Sequence, residues 1–177
     1  MNIHQMQVRY QPSADRILWQ VRTAGGELLQ AWLTRRLLKL AWPHLNRLVV
    51  QAGLAQVVPG ATAASVLPEA QAMLAQAVRD RPLANARFNE PFNLQAAAQP
   101  LGPEPLLADA IDLGPGNEGR GLNIRLREAA GRSMALQLND DLATALLRLL
   151  GQALSDADWG LLPSAAAEAP TGPRVLN

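Results

Sequence analysis

The chain contains no cysteine, which excludes disulfides and thiolate metal sites. Histidine occurs twice, as His4 and His44, too thin a supply for most imidazole-based centres. The carboxylates Glu104, Asp109, Asp112 and Glu118 lack the spacing of a calcium loop. No strained G-x-S-x-G elbow is present to activate a serine. The glycine-rich run Gly114 to Gly121, GPGNEGRG, lacks the GK[ST] ending of a phosphate loop and precedes a strand, where a dinucleotide fingerprint would precede a helix. It reads as a hairpin loop. No catalytic residue, metal ligand or cofactor site is therefore assigned, no small-molecule substrate is evident, and a non-enzymatic role is expected.

Lysine occurs once, at Lys39, against fifteen arginines. With the abundance of alanine, this bias suggests a GC-rich bacterial genome. No run approaches the roughly 18 apolar residues of a membrane span, and the opening MNIHQMQVRY has no apolar core of signal-peptide length. A soluble, cytoplasmic protein with no membrane partner is expected.

What the chain does hold is a patterned stretch from Arg16 to Val49. Ile17, Trp19 and Val21, then Leu29, Ala31 and Leu33, alternate on either side of Ala24-Gly25-Gly26-Glu27, which predicts a β-hairpin. Thr34 can then cap a helix carrying Leu37, Leu40, Ala41, Leu45, Leu48 and Val49 on one face. Pro43 inside that helix removes a backbone hydrogen bond, so a kink or a break is expected there. A weaker copy follows 105 residues later. Arg22, Ala24, Gly26, Leu33, Leu37 and Leu45 fall on Arg127, Ala129, Gly131, Leu138, Leu142 and Leu150, and Thr34 falls on Asn139, another good cap.

The remaining elements complete the arrangement. His4 to Tyr10 alternates as a first strand, a helix is expected near 65 to 81, and strands are expected over Phe92 to Gln99 and Leu106 to Leu113. Trp159 should anchor the end of the last helix. The fold class is thus α+β: antiparallel sheets of about seven strands built from two β-β-β-α pseudo-repeats, residues 1–58 and 92–161. A helical linker over 59–91 joins them, and a mobile tail follows over 162–177.

Net charge is only +1 but unevenly spread: +5 over residues 1 to 56, −4 over 57 to 119 and 0 over the rest. Arg35, Arg36 and Lys39 open the first helix and Arg47 follows, while Arg9 and Arg22 take the outward phase of their strands. Arg35 and Arg36 stand at the positive end of the helix dipole, a locally unfavourable choice which suggests that something else selects them. Trp32 also has the outward phase, and an outward tryptophan implies a covered face, either by the linker helix or by another subunit. The candidate interaction surface is Arg9, Arg22, Trp32, Arg35, Arg36, Lys39 and Arg47. It points to a protein-protein interaction or adaptor subunit of a bacterial assembly that self-associates or binds a protein partner. The alternative is non-specific nucleic-acid binding through the basic face, directed at the backbone because aromatics are few.

Overall fold

A computed structural model describes residues 2–57, 73, 76–78, 80, 82–83, 91–95 and 98–162. Its fold is α+β, with seven strands in two sheets. In the first sheet β1 (Ile3–Gln11), β2 (Arg16–Thr23) and β3 (Leu28–Leu33) run antiparallel. Period-two alternation decides which side chains turn inward. Val8 lies opposite Trp19, which lies opposite Ala31, and Trp19 is buried on the core face. The second face carries the rungs Arg9–Leu18–Trp32 and Gln7–Gln20–Gln30.

Helix α1 (Arg35–Val57) follows β3 directly. The Thr34 hydroxyl accepts a hydrogen bond from the Leu37 amide at 3.2 Å, as a cap should. The helix passes through Pro43 as a single element, so the break considered from sequence does not occur. Leu37, Leu38, Ala41, Leu45 and Val49 are buried along its length, and this burial bridges the one backbone bond that proline removes. Leu40 does not belong to that face: it is 74% exposed, and Leu38 takes the buried position instead. Gly53 lies inside the helix. A Cβ there would stand 2.6 Å from Val78 Cγ1, so glycine is what allows Val78 to approach. Residues 73, 76–78 and 80 are helical, and the rest of the helix expected over 65 to 81 lies outside the described residues.

The second sheet consists of β5 (Ala110–Pro115), β6 (Leu122–Arg127) and β7 (Ser133–Leu138), again antiparallel, followed by α2 (Asp140–Ala157). Asn139 caps α2 by accepting the Leu142 amide at 2.9 Å. Two expectations are corrected here. Leu106 to Leu113 is not one strand but two. Leu106–Leu107 forms β4, parallel to β3 in the first sheet, and β5 begins at Ala110 in the second. The chain turns because the Asp109 amide donates to the Arg127 carbonyl and the Asp109 carboxylate accepts the Ala129 amide. Residues 92 to 95 form no strand, and a single parallel bridge joins Ala98 to Glu27, while 96–97 lie outside the described residues.

The two sheets share one register. Ile17 pairs with Leu33 and Leu122 with Leu138, and all six β2–β3 pairs reappear as β6–β7 pairs displaced by 105 positions. The β1–β2 pairs from Gln5↔Arg22 to Tyr10↔Ile17 reappear as Ala110↔Arg127 to Pro115↔Leu122 at the same displacement. The short 3-10 turns Pro12–Ala14 and Asn117–Gly119 match too, as do the left-handed glycines Gly26 and Gly131.

The helices pack crosswise: α2 lies against β1, α1 against β5, and the helices against each other. One core results, joining Ile17, Trp19, Leu33 and Leu45 to Leu122, Leu126, Leu146 and Leu150. Among the described residues, no helix is long and apolar enough to cross a membrane.

Candidate interaction surface

Burying Leu38, Ala41, Leu45 and Val49 forces the opposite side of α1 into solvent. The exposed side carries Arg36, Lys39, Leu40, Pro43, His44 and Arg47, at spacings of three and four that make one continuous stripe. No acidic side chain occurs in α1. Among the described residues Arg36, Lys39 and Arg47 make no ion pair, so the stripe keeps its positive potential.

Arg35 is used differently. Its guanidinium donates to the Trp159 carbonyl at 3.1 Å, and its charge acts on Asp15. Asp15 sits in the left-handed region, at φ 46°, in the turn between β1 and β2. Its Oδ1 accepts the Trp159 Nε1–H at 2.9 Å and the Tyr10 hydroxyl at 2.8 Å, and the two rings meet edge-to-face at 5.8 Å. The hydrogen bond from Trp159, then that from Tyr10, holds the Asp15 carboxyl below the usual carboxylate range against the opposing effect of burial. Trp159 is 4% exposed. The group fastens the end of α2 onto the first sheet, so Arg35 serves structure.

Arg9, Arg22 and Trp32 lie on the second face of the first sheet, away from the core that α2 covers. Arg9 is exposed; Trp32 is half-buried, with Leu18 and Leu107 as its cross-strand neighbours. Arg22 donates to the Asn93 carbonyl at 3.0 Å, and Gln5 holds the same segment by accepting the Asn93 amide at 3.1 Å. The segment 91–95 is thus strapped across one end of this face, over a shallow cleft of about 540 Å³ lined by His4, Gln5, Arg22 and Asn93. Beside it Gln20, 2% exposed, donates to Gln30 Oε1 at 2.8 Å. The seven sequence-derived positions therefore do not form one surface: Arg36, Lys39 and Arg47 come together, while the other four stand apart or are engaged internally.

Sequence reasoning missed Leu40 as a surface residue. The run Leu37-Leu38-Lys39-Leu40 offers three leucines for two buried places, and only the packing decides which is excluded. It also missed the clasp at the β6–β7 turn. Arg132 donates to Glu128 at 2.5 and 2.8 Å and to the carbonyls of Leu101 and Glu104, while Glu128 accepts the Leu107 amide at 3.0 Å. These hydrogen bonds, from Arg132 first and from the Leu107 amide second, lower the Glu128 carboxyl below its ordinary range. The Gly114 to Gly121 loop closes on itself, with Gly116 N–H donating to the Gly121 carbonyl. A Cβ at Gly121 would lie 2.0 Å from the Leu138 carbonyl oxygen, so close backbone approach is what requires that glycine.

Among the described residues no group of three or more His, Asp or Glu could hold a metal ion. A scan against protein-family models found none that matches this chain, and no curated protein or solved structure matches it either.

Proposed function

We propose that the chain is a non-enzymatic adaptor subunit of a bacterial assembly, built from two β-β-β-α pseudo-repeats, and that it docks a protein partner on the outer stripe of α1. The observation that carries this reading is Leu40, 74% exposed at the centre of Arg36, Lys39 and Arg47. At the positions displaced by 105 in α2, Thr144 and Ala145 are buried at 2% and 4%, so the side of the helix that α2 covers is bare in α1. The basic residues suit a partner whose rim is acidic, and Leu40 suits an apolar socket within it. A photo-crosslinking residue at position 40 should capture one protein in host cells, and the peptide captured should be acidic with an apolar centre. Leu40→Asp should abolish capture and leave thermal stability within about 0.5 kcal/mol, as surface changes do. The alternative, nucleic-acid binding, draws on the same three basic residues but has no use for Leu40. A gel shift with duplex DNA that Arg36→Ala with Lys39→Ala removes, and Leu40→Asp leaves intact, would replace the adaptor reading with that one.

A further inference from the structure

The two hairpins differ in what happens at their outer edges. In the first, Thr23 N–H donates to the Glu27 carbonyl, so the alternation of an antiparallel ladder turns the backbone groups of Leu28, Gln30 and Trp32 away from β2. That edge is occupied: Leu28 N–H donates to the Ala98 carbonyl at 2.9 Å, and the Trp32 carbonyl accepts the Ala108 amide at 3.1 Å beside β4. In the second hairpin Glu128 N–H donates to the Arg132 carbonyl, so Ser133, Ala135 and Gln137 present the corresponding edge. Among the described residues no strand pairs with it, and the three side chains are exposed.

Nothing about β7 discourages pairing. Edge strands are commonly blunted by a charge, a proline or a bulge. Ser133 to Leu138, SMALQL, has neither charge nor proline, and its register against β6 is regular. We propose that β7 pairs with β7 of a second copy of this chain, antiparallel about a two-fold axis at Ala135, joining the two three-stranded sheets into one of six.

A second copy is favoured over a foreign strand because a two-fold axis sets each residue against its own kind or its mirror position. Ala135 meets Ala135 of the other copy, small enough for close approach, and Ser133 meets Gln137, two groups able to hydrogen-bond. Neither position carries a charge that would repel its equivalent, whereas the outermost strands β1 and β5 carry Arg9 and Asp112. The pairing would form roughly six backbone hydrogen bonds. Its surface is separate from α1, so the inference does not rest on the adaptor reading.

Sedimentation equilibrium of the full chain between about 1 and 200 µM tests it, since a small interface of this type should have a micromolar midpoint. The wild type is expected to dimerise. Ala135→Pro should be monomeric, because proline there removes only the outward N–H. Ser133→Lys with Gln137→Lys, at two exposed positions, should also be monomeric by like-charge repulsion across the axis. Ser133→Lys with Gln137→Glu should restore the dimer, since lysine then faces glutamate, and this rescue is specific to the antiparallel register. A wild type monomeric throughout, or a dimer that the double-lysine variant leaves intact, overturns the proposal.

Discussion

Asp15 shows how much one turn residue can hold. It occupies a left-handed conformation that an ordinary side chain enters at a cost, and one of its oxygens gathers both a tyrosine hydroxyl and a tryptophan N–H from opposite ends of the chain. Its carboxyl lies below its ordinary value of 3.8, so it releases its proton more readily in the folded chain than in the unfolded one. The stabilisation is therefore present above that ordinary value and lost as pH falls through the lower folded one. Asp15→Asn, which keeps an acceptor but not the charge, should melt below the wild type at neutral pH. The gap should close as the pH is taken from about 5 towards 2. Circular dichroism melts across that range check it, and a constant gap would mean that the charge contributes nothing.

The elements divide into those that local pattern specifies and those that packing decides. Both hairpins were legible because Ile17, Trp19 and Val21, and again Leu122, Ile124 and Leu126, alternate without interruption around a glycine turn. Both caps were legible for the same reason, since Thr34 and Asn139 each precede a helical run. The division of Leu106 to Leu113 was not. Leu106, Leu107, Ile111 and Leu113 are all apolar, and the turn depends on partners distant in the chain, Trp32 for the Ala108 amide and Arg127 and Ala129 for Asp109. Composition marked the basic residues of α1, but nothing local tells that Arg35 hydrogen-bonds the Trp159 carbonyl and Arg22 the Asn93 carbonyl. β4 is held by its pairing with β3 and by the bond from the Leu107 amide to Glu128, which Arg132 positions. Arg132→Ala should raise hydrogen exchange at the Ala108 and Leu28 amides about tenfold while leaving the amides of β6 unchanged. Equal acceleration in β6 would show that the clasp holds the hairpin itself.

At the scale of the whole molecule, the crosswise helices make each half depend on the other. The first sheet has its β1 covered by α2, and the second has its β5 covered by α1, so a half on its own exposes the apolar face it should bury. Fragments 2–84 and 85–162 should each lack a cooperative melt and regain one when mixed in equal amounts. A fragment that melts cooperatively by itself would show that its own helix suffices. The same construction limits how the sheets can move. Between Leu107 in one sheet and Ala110 in the other only Ala108 and Asp109 intervene, a span of roughly 11 Å even when fully stretched. That connection is short. Drawing the sheets apart beyond that reach would pull on Leu106 and Leu107, which at two residues form the shortest strand among the described residues.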